Sequence, residues 1–204
     1  MRHVPALALL SLATCLVPSG ANAAVFVYEA FLSGANEAPP NASPGTGYAL
    51  VTYDDVAHTL GLDISFSGLT AGNTAAHIHV VTDPPPATTG AVATTTPTFA
   101  GFPTGATAGN YLNVLDLTLV SSYRAGFITA NGGTTAGAEA ALGLGLADGR
   151  AYLNIHTTNF PGGEIRGFLL PPAIPEPASW ALMIGGFALA GIALRMRQRI
   201  VRFA

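Results

Sequence analysis

Lysine is absent from the 204 residues, so every permanent cation is one of eight arginines, and five of these (Arg2, Arg195, Arg197, Arg199 and Arg202) stand at the chain ends. Residues 24–174 keep only Arg124, Arg150 and Arg166 against ten carboxylates. Nucleic-acid binding needs clustered cations to neutralise phosphates, and an acidic domain excludes it. Cysteine is almost absent as well. The single Cys15 falls inside an N-terminal apolar run, which leaves the rest of the chain without a thiol for a disulfide, a thiolate ligand or a nucleophile. G-x-S-x-G, H-E-x-x-H and P-loop patterns are missing, and the glycines at 143, 145 and 149 fit neither nucleotide fingerprint. The familiar hydrolase, zinc-protease and nucleotide-binding chemistries therefore have no foothold.

What is present is short and alternating. With 24 glycines, 15 prolines and 9% charged residues, the composition favours one all-β domain: an antiparallel, sandwich or Greek-key-like fold with one short helix. Strands are expected at 25–32, 47–53, 60–67, 75–81 and 111–120. The clearest is the run in which Leu60, Leu62, Ile64 and Phe66 alternate with Gly61, Asp63, Ser65 and Ser67. Residues 87–108 hold eight threonines and read as a long loop with at most one edge strand. Thr134 or Thr135 can cap a helix through Leu146, ended by Asp148-Gly149.

The two ends read as addresses. Met-Arg-His, an uncharged run from Val4 to Val17 and the small-x-small site Ala21-Asn22-Ala23 form a signal peptide over residues 1–23. At the other end, residues 171–204 carry Pro175-Glu176-Pro177, an uncharged stretch at about 178–194 and the arginine-rich tail. The stretch makes about 26 Å of helix against a hydrocarbon core of about 30 Å, a short transmembrane helix. The arginines place the C-terminus inside and the domain outside.

The polar chemistry gathers on two strands. In A-A-H-I-H (75–79), His77 and His79 share a face; in A-Y-L-N-I-H (151–156), Tyr152, Asn154 and His156 do so, opposite Leu153 and Ile155. Phe160-Pro161-Gly162-Gly163 then turns the chain into a return strand with Glu164 and Arg166. A regular register, 156 with 164 and 154 with 166, puts His156, Asn154, Glu164 and Arg166 on one face; a bulge at the glycines breaks that inference. Two readings follow. His77, His79, His156 and Glu164 form a metal site, for which copper or zinc is the suitable ion. Alternatively Asn154, Glu164 and Arg166 make a structural polar face, with Glu164 paired to Arg166 or His156, and no cofactor is needed.

The terminal pattern P-E-P-A-S-W-A with its arginine block resembles the PEP-CTERM sorting signal in its Trp-Ala variant. This implies a Gram-negative exported protein, handled by an exosortase-type protease, held transiently in the inner membrane, then delivered to the cell surface or extracellular matrix, often with exopolysaccharide. L-S-G-A-N-E-A-P-P (32–40), F-S-G-L (66–69), A-A-H-I-H (75–79), L-N-I-H-T (153–157) and F-P-G-G-E-I-R-G (160–167) resemble the CHRD (chordin-type) family, over residues 24–170. The resemblance implies a β-sandwich-like module with no established catalytic activity, so no catalytic residue is carried over. The leading expectation is a non-enzymatic domain that binds extracellular polysaccharide or surface proteins. The alternative is a secreted metalloenzyme using His77, His79 and His156, since a His-x-His strand also supplies copper ligands in copper-zinc superoxide dismutases.

Overall fold

The computed structural model describes residues 25–82, 89–173 and 177–201. The expected signal peptide, Pro175 and Glu176 lie outside the described residues. Eight strands form one antiparallel sheet: β1 (Val25–Ser33), β2 (Thr46–Asp54), β3 (Thr59–Ser67), β4 (Asn73–Val80), β5 (Ala91–Val92), β6 (Gly109–Asp116), β7 (Ala151–Thr157) and β8 (Ile165–Phe168). Their order is β5-β4-β7-β8-β1-β2-β3-β6. The class is all-β as expected, but the two packed sheets of a sandwich are here two halves of a single curled sheet. Its seam is the junction of β8 with β1, where Ser33 pairs with Arg166 and Glu29 bridges Leu170.

Alternation explains why curling works. In β3, Leu60, Leu62, Ile64 and Phe66 are buried, while Asp63 and Ser67 are exposed. In the other half, Ala76 and Ile78 of β4 and Leu153 and Ile155 of β7 are fully buried and join the same core. Each large apolar side chain taken from water stabilises this arrangement by roughly 1.5–3 kcal/mol. The β2–β3 turn is fixed by Asp54 Oδ1, which accepts from the amides of Val56 (3.0 Å) and Ala57 (2.7 Å).

The predicted helix is α2 (Thr135–Ala147), which lays Ala138, Leu142 and Leu146 on the core. Thr134 Oγ1 accepts from the Gly137 amide at 3.1 Å, and Gly149 (φ 65°) follows Asp148 at the other end. A shorter helix, α1 (Ala125–Ala130), precedes it without a sequence signal. The expected strand over 111–120 stops at Asp116, whose Oδ1 accepts from Thr118 and ends the extended run. Within the described part of the threonine-rich stretch the two residues of β5 pair at the sheet edge, and Thr94 makes an isolated bridge to Tyr123.

The C-terminal helix α3 spans Pro177–Val201, and its Leu182, Phe187 and Leu189 are exposed. Among the described residues no helix is long and apolar enough to cross a membrane, so a transmembrane helix at about 178–194 is unsupported.

Candidate metal centre

Burial of Ile78 and Ala76 in the core turns His77 and His79 to the other face of β4, and burial of Leu153 and Ile155 turns Tyr152, Asn154 and His156 to the matching face of β7. The ladder sets Asn154 directly opposite His77, Tyr152 opposite His79, and His156 opposite Ala75. This outer face is not a wet one. His77 and His79 are only 7% and 8% exposed because the chain between Gly90 and Thr98 lies against them.

The covering segments also set the tautomers. Nδ1 of His77 lies 3.0 Å from the carbonyl of Pro97, Nδ1 of His79 lies 2.9 Å from that of Gly90, and Nδ1 of His156 lies 2.9 Å from that of Pro161. A carbonyl only accepts, so each Nδ1 carries the proton and each neutral ring offers a bare Nε2. Nε2 of His77 and Nε2 of His156 are 3.1 Å apart, and the ligand atoms of all three rings fall within 4.8 Å of one another. Nε2 of His79 is buried and has no hydrogen-bond partner.

Burial keeps these rings neutral. It pushes His77 and His79 down to about 4, against a weaker upward pull from their carbonyl bonds, and the neighbouring imidazoles lower both further. His156 is lowered for the same reason, burial, again opposed by its carbonyl bond. Three lone pairs therefore converge with no proton to share among them. Two imidazole nitrogens on one zinc or copper ion sit at most about 4.1 Å apart, at bond lengths of about 2.0–2.1 Å. The close pair meets that limit already, and the widest pair meets it after closing by less than about 1 Å. Nδ1–H donated to a backbone carbonyl is the usual support for an Nε2 ligand.

Glu164 does not belong to this cluster, which corrects the expected fourth ligand. Gly163 takes φ 131°, so the alternation that would place Glu164 beside His156 breaks at the turn. The fully buried carboxylate instead accepts from Ser43 Oγ (2.6 Å), the Thr70 amide (2.7 Å), Thr70 Oγ1 (3.1 Å) and Thr157 Oγ1 (2.5 Å). Burial pushes its pKa up, but those donors outweigh it and hold the carboxyl below its ordinary value.

Of the expected polar face, Asn154 and Arg166 are paired in register and Glu164 is elsewhere. The Arg166 guanidinium stands 4.9 Å over the Tyr152 ring and 5.6 Å from that of Phe168, and its Nε donates to the Asn36 carbonyl. Tyr152 in turn stacks on His79, centroids 4.6 Å apart. The acid that joins this face is Glu37, which the alternation of β7 and β8 could not reveal because it lies in the loop after β1. Glu37 is buried and accepts from Asn154 Nδ2 at 3.0 and 3.3 Å. Burial raises its pKa to about 7, against the opposing effects of Arg166, the Ala38 amide and Asn154.

The family model of the CHRD domain matches residues 28–169. The chain belongs to the CHRD domain family. That of the PEP-CTERM protein-sorting motif matches residues 173–198, which include Pro175, Glu176 and Pro177. This motif supports export by an exosortase-type system. No curated protein and no solved structure matches the chain. In this CHRD domain, three segments of the motif-bearing sequence meet: the loop with Glu37, the strand with His77 and His79, and the hairpin with Asn154, His156 and Arg166.

Proposed function

We propose that this protein is an exported, surface-displayed CHRD domain whose task is to hold a transition-metal ion, copper or zinc, through Nε2 of His77, His79 and His156. The observation that carries the reading is the convergence of three acceptor nitrogens, on two buried rings and the half-buried His156, each fixed by a carbonyl on its far side, with no donor between them. Charge-neutral imidazoles suit copper and zinc and not the harder cations, which take oxygen ligands. Metal analysis of the full-length protein should return one ion per chain. Its loss in His77→Ala, with the fold retained by circular dichroism, supports the site, and an unchanged metal content in that variant rejects it.

Delivery is part of the same proposal. The signal peptide is removed after Ala23, the segment 178–194 holds the chain at the inner membrane for a time, and a protease cuts near Pro175-Glu176-Pro177. The product is then released to the surface or into a polysaccharide matrix. The sorting motif supports handling by an exosortase-type protease. Tags before Pro171 and after Ala204 should separate in an exosortase-competent host and stay joined when Glu176 and Pro177 are replaced.

A further inference from the structure

Resting on the metal reading, we propose that the ion carries water as its fourth ligand and that Asn154 positions this water by accepting a hydrogen bond at Oδ1. Among the described residues no other histidine, cysteine or carboxylate joins the trio, so one coordination position is open to solvent chemistry. Two buried side-chain polar atoms there lack any partner: Nε2 of His79 and Oδ1 of Asn154. Both belong to the same face of the same strand pair. Asn154 is 3% exposed, stands opposite His77 on β4 and lies between Tyr152 and His156 on β7.

Ionised Glu37 fixes the amide. Above about pH 7, Asn154 Nδ2 donates to both oxygens of the Glu37 carboxylate, which only accepts, so the carbonyl end points away from Glu37. Gly163 closes the other side: a Cβ there would come within 2.6 Å of Nδ2 and 2.8 Å of Oδ1. An ion by itself would occupy Nε2 of His79 and leave Oδ1 without a partner. An ion bearing water accounts for both, because the ion takes the nitrogen lone pair and the water O–H donates to Oδ1. Asn154 is thus a positioning residue, and Glu37 holds it. The open position favours a ligand that carries a proton, and an anion without one gains nothing from Asn154.

Azide provides the test. Full-length protein loaded with cobalt(II) reports its fourth ligand through the visible bands, and azide is titrated against wild type, Asn154→Ala and Asn154→Asp. Removing the acceptor weakens water and leaves azide unaffected, so Asn154→Ala should bind azide about five-fold tighter, the worth of one hydrogen bond. Asn154→Asp keeps an acceptor but loses the donor to Glu37 and adds a negative charge beside the ion, so it should bind azide no tighter than wild type. Equal azide affinity in wild type and Asn154→Ala overturns the proposal. A second measurement needs no variant: copper(II)-loaded wild type should show exchangeable-proton couplings from a bound water in pulsed electron paramagnetic resonance, and their absence overturns it too. If wild type takes up no cobalt, copper or zinc, it is the metal reading that fails.

Discussion

Glu164 and the histidine trio are polar groups withdrawn from solvent, fully for Glu164 and only in part for His156, at the β7–β8 hairpin and the neighbouring β4, and they differ in where the protons are. Around Glu164 every neighbour donates: two hydroxyls from Ser43 and Thr157, and both the amide and the hydroxyl of Thr70. Around His77, His79 and His156 the protons have been drawn off to the far side of each ring by Pro97, Gly90 and Pro161. A charge with a complete set of donors is closed and structural. Three acceptors facing one another are incomplete without a cation. The comparison also separates two kinds of buried group in one sheet: Glu164 ties the loops at Ser43 and Thr70 to the end of β7, whereas the histidines tie down nothing on their Nε2 side.

The largest effect should come from the closed cluster. Glu164→Ala strands the buried Thr157 hydroxyl and three part-buried donors from Ser43 and Thr70 at once and should cost on the order of 3 kcal/mol, read from the urea midpoint at constant slope. A cost below about 1 kcal/mol would mean those donors find other partners and the contrast collapses. The next effect belongs to the open cluster. Zinc or copper at a hundred times its dissociation constant should stabilise wild type by about 2.7 kcal/mol, a rise of roughly 5–10 °C in melting temperature. His77→Ala should lose the rise. Glu164→Gln should keep it, however much it lowers the starting temperature, since Glu164 is no ligand.

Acid sharpens the comparison further. The folded domain refuses protons at His77 and His79 until about pH 4, whereas the unfolded chain takes them up near the ordinary value of 6.5. Stability of the metal-free domain therefore falls as pH drops below 6.5, at about 1.4 kcal/mol per pH unit for each such histidine. Glu37 works the other way. Folded, it keeps its proton up to about pH 7, while unfolded it loses it above 4.5, so its contribution grows as pH falls through this window and offsets one histidine. Glu37→Gln removes the offset. Its denaturation midpoint should decline more steeply between pH 6.5 and 4.5 than that of wild type, by about one proton's worth, 1.4 kcal/mol per unit. Parallel declines for the two proteins would rule out a titrating Glu37.

Much of this was legible without coordinates. The period of two in 75–81 and 151–157 decides which side chains leave the core together, because Ile78, Leu153 and Ile155 have no better place than the interior. That placed His77, His79 and His156 on the outer side of their strands, and adjacency of β4 and β7 then made them neighbours. Thr134 as a cap follows from the chemistry of a hydroxyl at a helix start. Glu164 was misread because one glycine backbone angle undoes an alternation that neighbouring letters suggest. Glu37 was overlooked because its partner, Asn154, is distant along the chain, and no local period links a loop to a strand across such a distance.

The sequence by itself determined the class, the acidic charge, the sorting motif towards the C-terminus and the face on which each histidine stands. All of these rest on composition or on neighbours one or two residues apart. The tertiary structure alone decided that this outer face is covered, that Gly90, Pro97 and Pro161 take the Nδ1 protons, and that Asn154 is left with a bare oxygen. Those carbonyls come from segments with no periodicity, and a hydrogen bond's direction depends on where two groups end up in space, which side-chain identity along the chain does not encode.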